Sequence, residues 1–291
     1  MGCETYVIVG LAKTGTTVIA RTLQRTLRIP HFFMEPRNLT MIETAVAECE
    51  RLVVKIIFDI WQDRLDDLVQ VCTGVRAGDG TSPAPTVIFV VRDPRDEVIS
   101  RLYYFPYAVF SSGPSTPEQR ASCIALFERK EASPDTVGLL DLQDDLWRMF
   151  RPGSSRSALL HAAYAEFVQD FMDAHREKTY LVRYEEFISR TIPDPALQDM
   201  LSEAQHVQPR ERRVLRSASS GAWNRFFTDR DMAFFNQHYE TYLRKFGYPL
   251  EREIGAGPPV SSATGSEYVA RLIEEACLTF EANNSVTSAE R

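Results

Sequence analysis

Gly10-Leu11-Ala12-Lys13-Thr14-Gly15-Thr16-Thr17 packs two glycines, a lysine and three threonines into eight positions. Those types suit an anion: backbone N–H groups and a helix N-terminus converge on phosphate, and an ammonium neutralises it. The Gly-x4-Gly spacing is that of loops holding ATP or GTP, but such loops need lysine directly after the second glycine, where it reaches the terminal phosphates. That position is Thr16, and Lys13 lies inside the loop. The segment therefore suits a phosphate-bearing nucleotide and argues against a nucleoside triphosphate. A second cluster is Arg92-Asp93-Pro94-Arg95-Asp96, followed by Ser100. Asp93 reads as a helix N-cap and Pro94 as a first helical residue. Ser100 then lies about two turns into the helix, where it can share one anion with Arg92 if strand end and helix side face one pocket. The competing reading makes Arg92 and Asp96 a surface salt bridge. Lys55 interrupts the apolar run Val53-Val54-Lys55-Ile56-Ile57, so it must emerge into a cleft or find a partner such as Glu35.

Five apolar runs must position these residues: 6–10, 31–34, 52–58, 86–91 and 179–183 read as strands. Ile19, Leu23 and Leu27 recur every four residues, predicting a helix directly after the glycine-bounded loop. Helices between strands predict an α/β fold of three layers, a mostly parallel central sheet flanked by helices, with right-handed crossovers. Residues 74–85 and 111–117 read as polar loops. The stretch 118–178 reads as helical, with Leu160, Tyr164, Phe167, Val168 and Phe171 as a core-facing stripe. Residues 230–246 read as another helix and 255–265 as a linker. Val269, Leu272, Ile273 and Cys277 form an apolar stripe over 268–280, suited to docking on the body or on a partner, and the last ten residues are expected to fray. The expected organisation is one domain over 1–250, with a helical acceptor-side insertion at about 111–178, then a linker, helix and polar tail over 251–291.

With 291 residues, 25% charged and 44% hydrophobic, the chain has the composition of an ordinary globular protein able to bury a sizeable core. No apolar run approaches the ~18–20 residues that span a bilayer, and the start of the first strand so near residue 1 leads to the expectation of no signal peptide. Cys3, Cys49, Cys72, Cys123 and Cys277 have neither disulfide-framework nor zinc spacing, and the five histidines are isolated, so a cytoplasmic protein without a metal is expected. A net charge of −7 disfavours nucleic acid as a partner. It leaves room for an anionic cofactor, because the field in a cleft is set locally.

Lys13-Thr14-Gly15-Thr16-Thr17 resembles the 5′-phosphosulfate loop of the sulfotransferases that use PAPS (3′-phosphoadenosine 5′-phosphosulfate). Arg92 at a strand end, with Ser100 eight residues on, resembles that family's 3′-phosphate element. Arg216-Ser217-Ala218-Ser219-Ser220-Gly221-Ala222-Trp223 is similar to its Arg-Lys-Gly-x-x-Gly-x-Trp loop, with Ser217 and Ala218 standing in for Lys and Gly. Arg216 is then a second cation for the 3′-phosphate, and Arg210, Arg212 or Arg213 could substitute for the missing lysine. Tyr184 resembles a family tyrosine near the adenine. The resemblance covers most of residues 5–250.

The resemblance implies transfer of a sulfuryl group from PAPS to an acceptor hydroxyl, releasing PAP. Lys13 would stabilise the leaving group, with Thr14, Gly15, Thr16, Thr17, Arg92, Ser100, Tyr184, Arg216 and Gly221 binding the cofactor. In the cytosolic small-molecule branch the third strand carries Lys-x-His, with His as base; here Lys55 is kept and Ile57 occupies the His position. Another branch uses a Glu just after the second strand, which makes Glu35 the candidate base, with Lys55 contacting it or the sulfuryl oxygens. Between Met34, Pro36 and two phenylalanines, the Glu35 carboxylate is expected to be partly desolvated. Asp59 and then His31 are the reserves. The Glu-type base favours a hydroxyl on a carbohydrate, glycolipid or secondary metabolite. The aromatic run of Tyr103, Tyr104, Phe105, Tyr107 and Phe110 either stacks on a sugar or fills a core. A homodimer remains open, as do a P-loop kinase and a nucleotide-binding homologue without activity.

Overall fold

The chain is described as a computed structural model covering residues 2–74, 83–150, 157–203, 219–251, 257 and 259–289. In order, its elements are β1 (Glu4–Gly10), α1 (Thr16–Thr26), β2 (His31–Met34), α2 (Leu39–Glu48), β3 (Arg51–Ile57), α3 (Phe58–Trp61), α4 (Leu65–Thr73), β4 (Thr86–Val91), α5 (Pro94–Ser112), α6 (Pro117–Ala132), α7 (Leu139–Phe150), α8 (Ser157–Ala174), β5 (Thr179–Arg183), α9 (Tyr184–Ser189), α10 (Pro195–Met200), α11 (Trp223–Phe226), α12 (Asp229–Lys245) and α13 (Ser266–Ala289). They fall into two compact units, one made of Met1–Arg92 and Arg156–Pro209, the other of Asp93–Ser155 and Arg210–Arg291.

The first unit holds the sheet. Its strand order is β2-β3-β1-β4-β5, every pairing is parallel, and the fold is α/β as expected. β1, β3 and β4 are apolar almost throughout because helices cover both of their faces. On one face Ile8, Ile88 and Val90 pack against Val18, Ile19 and Leu23 of α1, with Phe187 and Leu197 completing the cluster. On the other, Phe89 meets Phe167 and Phe171 of α8 at 5.9 and 5.4 Å between ring centroids, and Phe58 meets Tyr164 at 5.0 Å. The expected stripe on α8 is therefore core packing.

The connection leaving β1 runs toward β2, and the one leaving β4 runs toward β5 on the opposite side. The chain thus reverses its direction of travel between neighbouring strands β1 and β4, and in open parallel sheets ligands bind just beyond the strand ends at such a point. The Gly10 loop and Arg92 leave the sheet there.

The second unit is helical. Asp93 caps α5 by accepting the Arg95 N–H, and Pro94 opens the helix, both as expected. Tyr103 stacks near Phe127 and Phe226, at 4.8 and 5.8 Å, and Phe110 packs on Phe150 at 5.5 Å. Two of the five aromatic residues are thus core; Tyr104, Phe105 and Tyr107 keep partial exposure. Buried Asp231 accepts the N–H groups of Leu139 and Leu140, tying the start of α7 to α12. Buried Lys130 donates to three carbonyls, of Pro134, Val137 and Phe226, at 2.5–2.6 Å. α13 runs from Ser266 to Ala289, beyond the 268–280 stripe, since adding a residue to a formed helix fixes one residue for one further hydrogen bond. Among the described residues, no helix is long and apolar enough to cross a membrane.

Candidate functional site

The loop between β1 and α1 is shaped by close approach. A side chain on Gly10 would put a Cβ 2.6 Å from Thr16 Cγ2, 2.8 Å from Thr14 Oγ1 and 3.0 Å from the Val90 carbonyl oxygen. Only glycine lets Thr14 and Thr16 fold back onto the strand end. Thr14, fully buried, donates its hydroxyl to the Leu11 carbonyl at 2.7 Å. Thr16 is buried too, whereas Thr17 keeps partial exposure. Gly15 caps α1 at φ 92° with no side-chain hydrogen bond, leaving the first N–H groups of the helix as donors for an anion. Lys13 adopts φ 69°, a left-handed conformation unfavourable for a residue with a Cβ.

Two long-range bonds hold this loop. Asp59 on α3 accepts the Ala12 N–H at 2.9 Å, and Arg92 Nη1 donates to the Lys13 carbonyl at 2.9 Å. The Arg92 guanidinium also lies 4.5 Å from the centre of the Tyr184 ring. Tyr184 follows β5 and packs against Gly15, where a Cβ would clash with Cδ2 of the ring. Behind them, the Tyr164 hydroxyl of α8 lies 3.0 Å from both the Val9 and Val90 carbonyls, bridging the ends of β1 and β4.

Glu35 and Lys55 form the expected pair: Lys55 Nζ donates to Glu35 Oε1 at 2.5 Å. The partners differ sharply in burial, with Lys55 3% exposed and the Glu35 side chain 43% exposed. The Glu35 side chain is thus partly open to water, because Met34 is itself 37% exposed and the phenylalanines are only partly buried. Its backbone is nonetheless fixed at φ 55°. The Glu35 N–H donates to the Lys55 carbonyl at 2.8 Å, and Trp61 Nε1 donates to the Pro36 carbonyl at 2.9 Å. Left-handed backbone at a non-glycine residue costs ~1–3 kcal/mol and collects at functional sites; Lys13 and Glu35 both show it. Ile57 pairs with Gly10 in the register, buried at the position where the cytosolic branch has its base. His31 opens β2, at the far end of that strand from Glu35.

In the second unit, Asp96 is fully buried, which excludes a surface salt bridge. It accepts the Gly221 N–H at 2.5 Å and the Trp223 N–H at 3.2 Å, with Gly221 at φ 77°. Arg95 makes a two-point pair with Asp93, at 2.8 and 2.7 Å, and stacks 3.5 Å above Trp223. Ser100 lies buried in α5. Arg216 falls outside the described residues, as do Arg210, Arg212 and Arg213.

In the first unit, then, Lys13, Gly15, Arg92 and Tyr184 come together, and Glu35 with Lys55. Asp59 and Tyr164 in this unit, and Arg95 and Asp96 within the second, are the residues that sequence reasoning passed over or gave another role. For Asp96 a signal existed: a second acid one turn into a helix already capped by Asp93. Tyr164 carried none, since its position is an ordinary core position. Among the described residues, no group of three His, Cys, Asp or Glu side chains could hold a metal ion. The arrangement places the open N–H groups of the α1 N-terminus beside a loop held by the Arg92 guanidinium, and elsewhere in the same unit pairs a solvent-exposed carboxylate with a buried ammonium.

No family model matches the chain, and no curated protein matches it. Among solved structures it is similar to mouse sulfotransferase SULT7A1 complexed with PAP, at 12% identity over 94% of this chain and 89% of that one, with a TM-score of 0.41.

Proposed function

We propose that the protein is a PAPS-dependent O-sulfotransferase. The observation that carries the reading is the Arg92–Lys13 hydrogen bond, which joins the two segments resembling a 3′-phosphate element and a 5′-phosphosulfate loop. Separate motifs are easily matched by chance; two that meet beyond the ends of adjacent parallel strands are not.

The residues fit the cofactor. The glycine-bounded loop and the helix N-terminus without a side-chain cap suit a 5′-phosphate, and the Arg92 guanidinium suits a second anion. When bound, PAPS would supply a sulfuryl group for the acceptor hydroxyl, with PAP as the other product. Lys13, with the N–H groups of Thr16 and Thr17, stabilises charge on the leaving phosphate. Glu35 takes the acceptor's proton, and Lys55 orients Glu35 through their hydrogen bond. Ser100, Gly221 and Arg216 are the further cofactor-binding residues that the resemblance implies. The acceptor is a hydroxyl on a carbohydrate, glycolipid or secondary metabolite.

The test is calorimetric titration with PAP, with ADP and ATP–magnesium as controls. Micromolar PAP binding that is lost in Arg92→Ala and absent for ATP supports the reading. Preferential binding of ATP, or hydrolysis of ATP with magnesium, overturns it in favour of a P-loop kinase.

A further inference from the structure

Tyr184, directly after β5, is 4% exposed. One contact of its ring is the Gly15 backbone, close enough that a Cβ there would overlap Cδ2 and Cε2. Another is the Arg92 guanidinium, 4.5 Å from the ring centre. Arg92 in turn donates to the carbonyl of Lys13, two residues before Gly15, whose left-handed backbone needs outside support. Gly15, Tyr184, Arg92 and Lys13 thus close a ring of contacts around the loop. A base stacking on Tyr184 would need an open ring face, and 4% exposure leaves little of one.

We infer that Tyr184 is a positioning residue: its ring carries Arg92 and seals the loop at Gly15, so that the 3′-phosphate arm and the 5′-phosphate loop move as one body. It rests on the cofactor reading above and differs from a role for this tyrosine beside the adenine. A cation held over a desolvated aromatic face is worth roughly ten- to thirtyfold in an equilibrium, so losing that face should degrade the Arg92 contact by about that much. The loss should appear in the contribution of the 3′-phosphate and nowhere else on the nucleotide.

The experiment compares PAP with adenosine 5′-phosphate, which lacks only the 3′-phosphate. Calorimetry on the native protein, Tyr184→Leu and Tyr184→Phe reads the affinity ratio of the two nucleotides. Hydrogen exchange of the loop peptide over residues 10–17, without ligand, reads the mechanical link independently. The expected result is a native preference for PAP that falls about tenfold or more in Tyr184→Leu, with adenosine 5′-phosphate affinity held, faster loop exchange, and recovery of both in Tyr184→Phe. Equal weakening of both nucleotides with unchanged loop exchange overturns the inference and returns the ring to the base. Faster loop exchange in a protein whose native form binds no PAP supports the link and overturns the cofactor reading alone. If Tyr184→Leu does not fold, Arg92→Met probes the same link from its other end: loop exchange should rise there too, and unchanged exchange overturns the inference.

Discussion

Replacing Glu35 by glutamine separates two quantities that the Glu35–Lys55 pair combines. The Lys55 ammonium is 3% exposed and 2.5 Å from the carboxylate, so the substitution removes a counter-charge from a buried cation. Breaking a fully buried pair by deleting one partner costs about 3–5 kcal/mol. Glu35 is 43% exposed, so water screens its half of the interaction, and ~2–3 kcal/mol is the better figure. The reverse change, Lys55→Met, keeps the apolar stem and leaves behind a carboxylate that can hydrate; its cost should stay within ~1 kcal/mol. The asymmetry follows from unequal burial alone. Urea denaturation of both variants reads it as a difference in midpoint at constant slope. Turnover, followed as labelled sulfuryl transfer from PAPS to a panel of hydroxyl acceptors, should fall ~10²–10⁴-fold in Glu35→Gln, as for a lost general base, with PAP affinity nearly native. A Lys55→Met protein less stable than Glu35→Gln would refute the burial argument. Native turnover in Glu35→Gln would refute the base assignment.

Asp59→Ala removes the acceptor of the Ala12 N–H and should cost ~1–3 kcal/mol, with faster exchange at that amide; exchange unaltered there would mean the loop holds itself. Gly15→Ala forces a Cβ against Tyr184 at φ 92° and should weaken PAP binding at least tenfold by calorimetry, whereas native affinity would show that the loop relaxes freely. Burial pushes the Lys130 ammonium down from 10.5 to about 8, with Asp231, Asp135 and Asp141 opposing the fall. Because the folded value lies below the unfolded one, the stability this group withholds at neutral pH returns as pH rises through 8 toward 10.5. Relative to Lys130→Met, the native protein should therefore gain about 1 kcal/mol between pH 7 and pH 9 in matched urea titrations. A gap independent of pH would show that the three carbonyls hold the ammonium as well as water does.

The strands were legible because an apolar run is a local signal: β2, β4 and β5 begin and end where their residue types change. The same holds for the start of α5, where Asp93 and Pro94 act on their own helix. The aromatic run in α5 was half legible. Helical spacing says which residues share a face, but only the packed partners Phe127, Phe226 and Phe150 decide that Tyr103 and Phe110 are core. The environment of Glu35 was legible only in outline for a related reason: apolar neighbours in sequence shield a carboxylate only as far as their side chains turn toward it, and its side chain stays 43% exposed.

By itself the sequence determined the loop chemistry, the displaced lysine, the strand ends that launch Arg92 and Glu35, and a lysine in β3 in need of a partner. All of these are set by residue type and short spacing. Tertiary structure alone decided that Arg92 meets Lys13 across 79 positions, that Asp59 meets Ala12 across 47, and that Tyr164 bridges two strand ends. Such contacts depend on strand order and register, which arise from the burial of both sheet faces at once and leave no periodic trace along the chain.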